Sequence, residues 1–325
     1  MSSSISVIGN IQLDVLASPV SALPTAGGDT VIERIAVRTA GAAGNVSLAL
    51  AALGVQHRLF GAIGDDDAGR WVASELERLG LEKDIRIVPG EATGISIALE
   101  APERERSFLT AHGVLSTYNI SDVPSDAWEA DLVLLTGYFS LPGLRGHGSL
   151  EILRKAKASG AQTFFDTGWD PEEWAGDAVS EVLAMLPHVD VFLPNELEAL
   201  ALTGETDAAA AATALTVHCP GWVVVKLGSR GLLAAGPSGA RLAIDAPAVE
   251  AIDSTGAGDS LAAGLLAGLA DGHGMEQALA TGVRVASTVV GRDSHRRYPT
   301  RQELLSLWMS FPSNRGGFFN DGRVC

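Results

Sequence analysis

Positive charge and cysteine are what this sequence has least of. Lysine and arginine together number 23 against 39 aspartates and glutamates, a formal net charge of −16. Such a chain repels nucleic acid and anionic membrane surfaces as general partners, although a local basic pocket stays open to it. Cysteine occurs only at Cys219 and Cys325. That is too few for a disulfide framework, and no CxxC or His/Cys cluster suggests zinc. No apolar run approaches the ~18 residues that span a bilayer. No basic-then-apolar leader precedes the strand-like opening MSSSISVIGN, no internal repeat is seen, and no GxxxxGK[ST] phosphate loop occurs. The expectation is a cytoplasmic protein with neither a nucleic-acid nor a membrane partner.

What is present suits one large α/β domain: 325 residues, 46% hydrophobic and 19% charged. Near-continuous apolar strands are predicted at 6–9, 58–63, 131–136, 163–166, 189–193 and 222–226. Helical patterns lie between them at 44–53, 67–79, 149–158 and 177–186. Buried strands spaced by helices imply a three-layer, mostly parallel sheet covered on both faces. Two segments, 30–38 and 94–109, alternate or break at turns and fit a small antiparallel β-lid better. The alanine-rich 206–215 reads as a surface helix, and 312–325 as a loose or partner-docked tail.

The most informative stretch is AIDSTGAGDS (251–260), which runs into the apolar LAAGLLAGLADG. A glycine turn at a helix start exposes backbone N–H groups where anions bind. Asp259 at that place either caps the helix or does chemistry, and the local sequence leaves both readings open.

Other stretches appear in a set order. Gly9-Asn10-Ile11-Gln12-Leu13-Asp14 closes the first strand, and Ala40-Gly41-Ala42-Ala43-Gly44-Asn45 opens a helix. Pro194-Asn195-Glu196-Leu197-Glu198 follows a buried strand, as does Lys226-Leu227-Gly228-Ser229-Arg230-Gly231. Over residues 5–305 this set resembles the ribokinase-like, PfkB-type sugar kinases. The five stretches are similar to that family's substrate aspartate, its GGxxxN, NxxE and nucleotide-loop motifs, and, for 253–259, DTxGAGD. Ala40 replaces the usual first glycine of GGxxxN.

The resemblance implies ATP-dependent transfer of a phosphoryl group to a hydroxymethyl group of a small sugar or sugar acid. Asp259 would be the base, with the amides of Gly256, Ala257 and Gly258 as an anion hole. Asp14, Gly41 and Asn45 would hold the acceptor, although Asn45 could equally cap a helix. Arg106, in PERERSF with Arg104, would reach it from the lid or lie in a solvated turn. Asn195, Lys226, Gly228 and Gly231 would sit by the nucleotide, and Glu198 would organise Mg²⁺ through water; Asn195 and Glu198 also read as a plain capping box. Asp253 and Thr255 would hold a monovalent cation such as K⁺, but Arg292-Asp293-Ser294-His295-Arg296-Arg297-Tyr298-Pro299 departs from the family's RKGAxxSxP. Trp169 stacks on sugar or fills core, and His112 and His295 have no motif support. The implied layout is a kinase domain over 1–311, lid segments at about 11–38 and 90–110, and a homodimer through the lid. A nucleoside kinase of the same fold and a catalytically silent sensor are the alternatives; competition binding separates the first, and substrate-dependent ADP release excludes the second.

Overall fold

The computed structural model describes residues 3–101, 106–293 and 296–308. Arg104, His295 and the tail 312–325 lie outside the described residues. Among those described, nine strands form the main sheet, in the order β13 (Arg241–Ile244), β12 (Leu232–Ala235), β11 (Trp222–Lys226), β10 (Val191–Phe192), β9 (Gln162–Asp166), β8 (Leu132–Thr136), β1 (Ile5–Gly9), β4 (Arg58–Gly64) and β5 (Ile85–Val88). From β11 to β5 the pairings are parallel, and β12 and β13 add an antiparallel edge. The apolar runs are continuous because successive side chains enter opposite layers. In β8, Val133 and Leu135 join one core and Leu132 and Leu134 the other.

The first core lies under α3 (His147–Ala158), α4 (Ala178–Met185), α5 (Glu196–Thr203) and α6 (Ala208–Leu215). The second lies under α1 (Ala42–Ala52), α2 (Asp67–Glu77), α7 (Ala257–Ala270), α8 (Met275–Val290) and α9 (Arg301–Trp308). The alanine-rich α6 is more than a surface helix, since it buries Ala208, Ala211, Ala212 and Leu215. No helix among the described residues is long and apolar enough to cross a membrane.

The apolar run after the glycine turn becomes α7, whose residues from Ser260 to Gly268 are all buried. A Cβ on Gly264 would come within 2.7 Å of the Gly282 Cα, so α7 and α8 touch backbone to backbone. Burying Leu261, Leu265 and Leu266 contributes about 1.5–3 kcal/mol each. The turn at the start of α7 is thereby anchored to a rigid helix pair.

Four further strands form a second sheet: β3 (Arg34–Ala40), β2 (Gln12–Ser18), β6 (Ile95–Glu100) and β7 (Arg106–Ala111). Its outer pairs are antiparallel, whereas the central β2–β6 pair is parallel. Strand β3 begins four residues later than the sequence pattern implied. Cross-strand register divides the sheet into two faces. One carries the row Val37, Val15, Ile97 and Leu109; the other carries Arg38, Asp14, Ser96 and Thr110. This second face turns toward the carboxyl ends of the main strands, where open α/β sheets hold ligands.

Candidate active site

Asp259 stands in the first turn of α7, whose N-cap Gly256 has the left-handed φ of 68°. Glycine takes that conformation freely. The Asn45 side-chain amide donates to Asp259 Oδ2 at 2.8 Å, and the Tyr298 hydroxyl donates to Asn45 Oδ1 at 3.1 Å. Tyr298 thus fixes which way the Asn45 amide points. Asn45 is not the N-cap of α1; Gly41 is, packed so tightly that a Cβ would lie 2.4 Å from the Asn10 carbonyl oxygen. Burial, followed by the nearby Asp166 carboxylate, pushes Asp259 up to about 7 against the pull of Asn45, Lys226 and Arg297. A carboxylate poised near neutrality is suited to accepting a proton.

In the turn itself, the Ala257 amide donates to the Ser254 carbonyl at 3.2 Å. The amides of Gly256 and Gly258 have no such partner among the described residues, so they are the open donors. Lys226 ends β11 and points at this turn, its Nζ 3.3 Å from where a Gly258 Cβ would sit. It donates to Asp166 Oδ2 at 2.6 Å. Burial would lower its pKa, but Asp166 and Glu198 outweigh it and hold the ammonium charged.

Asn195 and Glu198 form a complete capping box at the start of α5. Asn195 donates through its backbone and side-chain nitrogens to the two Glu198 oxygens at 2.8 and 2.6 Å, and the Glu198 amide donates back to Asn195 Oδ1 at 2.9 Å. Glu198 is nonetheless 2% exposed. Burial, and then Asp166 against the opposing Lys226, pushes it up to about 7. A surface cap would not show that shift, so the box also belongs to the charged cluster. Gly228 and Gly231 shape the loop after Lys226. At Gly231, with φ 91°, a Cβ would meet the Ile244 carbonyl at 2.0 Å, so this glycine also serves the contact with the edge strand β13.

On the lid side, Asn10 donates to Gln12 at 3.2 Å and Gln12 donates to Asp14 Oδ1 at 3.0 Å. Burial raises the Asp14 pKa despite these contacts and the neighbouring Arg38. Asp253 is surrounded by arginines. Arg106 donates to its Oδ1 and to Thr255 Oγ1, Arg38 donates to Oδ2 at 2.9 Å, and Arg297 lies 3.5 Å from the same Oδ2. Burial alone would raise Asp253, but Arg297, Arg106 and Arg38 hold it well below the usual carboxylate range. Arg106 also pairs with Glu100 across the β6–β7 register. Its guanidinium therefore bridges lid and base.

The site thus brings Asp14, Gly41, Asn45, Gly256, Gly258, Asp259, Lys226 and Glu198 to one edge of the sheet. Asp166, Arg38, Arg297 and Tyr298 complete it and were not singled out from sequence. Asp166 left one signal, an acid at the carboxyl end of a buried strand. Trp169 is 47% exposed and edge-on to Trp174 at 6.0 Å, so it does not fill the core.

Known proteins resemble this chain over most of its length. Residues 2–301 match the model of the pfkB family carbohydrate kinases. A 5-dehydro-2-deoxygluconokinase of Shouchella clausii is 26% identical over 82% of this chain and 85% of its own length. An ATP-dependent ribose-1-phosphate kinase of Halopiger xanaduensis is 30% identical over 92% of this chain and 96% of its own. The crystal structure of a ribokinase from Thermotoga maritima superposes with a TM-score of 0.82, covering 95% of this chain and all of the other at 22% identity.

Proposed function

For a chain that belongs to the pfkB family of carbohydrate kinases, and is accordingly an ATP-dependent phosphotransferase, we propose a hydroxymethyl group of a small sugar or sugar acid as the acceptor. The carrying observation is Asp259, held by Asn45 at 2.8 Å beside the Gly256 turn. Asp14 and Asn45 select the acceptor by its hydroxyls, because a buried acceptor or donor left unpaired is costly. Asp259 orients the hydroxymethyl O–H and takes its proton as that oxygen bonds to the γ-phosphorus. The bond from the γ-phosphorus to the bridging oxygen breaks, and ADP leaves with the electron pair. The open amides of Gly256 and Gly258, with Lys226, stabilise charge on the transferring group.

The buried carboxylates supply hard oxygen donors of the kind Mg²⁺ takes. Glu198, with both oxygens engaged by Asn195, would hold a nucleotide-borne Mg²⁺ through that ion's water shell, and the ion when bound neutralises phosphate charge. The oxygens of Asp253 and Thr255 do not fit a monovalent cation, since Arg106 already engages both and two more guanidiniums face Asp253. Turnover is therefore expected to be the same in KCl and in choline chloride at equal ionic strength. A strict K⁺ requirement would contradict this reading.

The kinase domain spans 1–311, with the second sheet as its lid. The lid's outward row of Val37, Val15, Ile97 and Leu109 supports a homodimer through that face. Leu109 is 59% exposed, so Leu109→Glu is expected to halve the mass seen by light scattering; an unchanged dimer places the interface elsewhere. The function itself is tested by ADP release with MgATP against ketoses, pentoses, sugar acids and nucleosides. One sugar or sugar acid is expected to drive release. Release driven only by a nucleoside would replace the acceptor assignment, and ATP binding without release to any acceptor would indicate a sensor.

A further inference from the structure

Arg38 and Arg297 are the least satisfied groups in the site. They meet on one oxygen, Asp253 Oδ2, at 2.9 and 3.5 Å. The Nε and Nη2 atoms of both are buried without a hydrogen-bond partner among the described residues. The closest other acid to Arg38 is Asp14, whose Oδ2 lies 3.6 Å from Nη2, too far for a hydrogen bond. The Arg297 side chain is only 3% exposed, and such a residue ordinarily has every donor engaged. Burial, with Arg38 beside it, lowers the Arg297 pKa, so its charge is under-neutralised.

Their placement says which ligand the free donors serve. Arg297 Nη2 lies 3.0 Å from where a Gly256 Cβ would sit, the same distance as the Asn45 side-chain nitrogen. Arg38 is directly opposite Asp14 in the β2–β3 register, on the site-facing side of the lid. The two guanidiniums therefore flank the space among Asp14, Asn45 and Asp259, on the acceptor side of the glycine turn. Lys226 supplies charge from the other side of that turn, beside Gly258. A neutral sugar would offer two buried guanidiniums only hydroxyl oxygens. A carboxylate or a phosphate offers paired anionic oxygens that match the planar fork of each arginine.

We propose that the acceptor carries an anionic group of its own, a carboxylate or a phosphate, held between Arg38 and Arg297 while its hydroxymethyl group faces Asp259. This rests on the kinase reading above and narrows it to charged carbohydrates.

The test uses the full chain and matched pairs of acceptors in the ADP-release assay: aldonic acids against their parent aldoses, and sugar phosphates against the free sugars. The anionic member of at least one pair is expected to exceed its neutral partner in kcat/KM by roughly 100-fold. Which pair responds tells carboxylate from phosphate. In Arg297→Gln, the KM for that acceptor is expected to rise by about 10- to 100-fold with the KM for ATP little changed. Should this variant not fold, the thermal upshift that the anionic acceptor gives the wild type is expected to shrink with added salt, as a charge contact requires. Neutral acceptors used as well as anionic ones overturn the proposal and leave the kinase reading standing. A raised KM for ATP in Arg297→Gln also overturns it, assigning the arginines to the nucleotide. No ADP from any acceptor overturns both readings.

Discussion

Asp259→Asn is expected to lower kcat by about 10³-fold while the protein stays folded. The asparagine keeps the shape of the side chain and can still meet the Asn45 amide through its oxygen, so orientation is largely retained and only proton acceptance is lost. The pH dependence gives a sharper readout than the rate alone. With Asp259 near 7 in the free protein, wild-type kcat/KM is expected to rise about tenfold per pH unit below that value and to level off above it, because the base must be ionised. Glu198 titrates in the same range, and the variant separates the two. If Asp259 is the base, the rising limb disappears in Asp259→Asn; if the limb persists, it belongs to Glu198 or another group.

Stability should move the opposite way. A carboxyl whose folded pKa lies above its unfolded value binds more protons in the fold. Its contribution is present at low pH and is lost as pH rises from about 4 through about 7. Removing the charge lifts that penalty, so Asp259→Asn is expected to melt at or above the wild-type temperature at pH 8. An unchanged turnover in the folded variant would refute the base assignment.

Gly256→Ala is expected to have the second-largest effect, a loss of roughly 10²-fold in kcat, the scale of losing an oxyanion donor. The left-handed φ of 68° costs an alanine about 1 kcal/mol. The new methyl would lie 3.0 Å from both Arg297 Nη2 and Asn45 Nδ2, pressing Asn45 away from Asp259. Gly258→Ala is the internal comparison. The nearest atoms to its methyl would be those of the Lys226 side chain, with Nζ at 3.3 Å, and the end of a lysine can give way. A smaller loss is expected there. The reverse order, measured by steady-state kinetics, would place the anion-binding point away from Gly256.

The parts of the site that were legible in sequence are those with a local signature. Glycines beside an acid at a helix start announce an anion site, and the Asp253–Asp259 stretch carries that signal within seven consecutive positions. The pairing of Asn45 with Asp259 spans 214 residues and was reachable only through the order of the motifs. The arginines had no comparable signature. Arg38 lies in an alternating strand where a solvated charge reads the same, and Arg297 sits in a segment whose visible feature was departure from the family pattern. Their meaning comes from Asp253, which is 215 residues from one and 44 from the other.

The same distinction runs through the fold. Strands β8 and β11 declared themselves by near-continuous apolar runs, and β9 by Phe164 and Phe165 ahead of Asp166. The edge strands β12 and β13 did not, because LLAA and RLAI are short and lack a helix between them. Strand β2 was hidden behind the first strand, its alternation lost where Leu16 follows Val15. Asn195 and Glu198 illustrate a different limit: one pattern, NxxE, encodes both a capping box and a charged cluster, and only the burial of Glu198 reveals that it serves both.

The most direct test of the central claim is a proton-coupled ³¹P spectrum of the product formed from MgATP and the acceptor that drives ADP release. Transfer to a hydroxymethyl oxygen predicts a new phosphomonoester signal coupled to the two protons of one CH₂ group, absent when Asp259→Asn replaces the wild type. A signal split by a single proton would move the reaction to a ring hydroxyl. Inorganic phosphate alone would mean that water, not a sugar, receives the phosphoryl group.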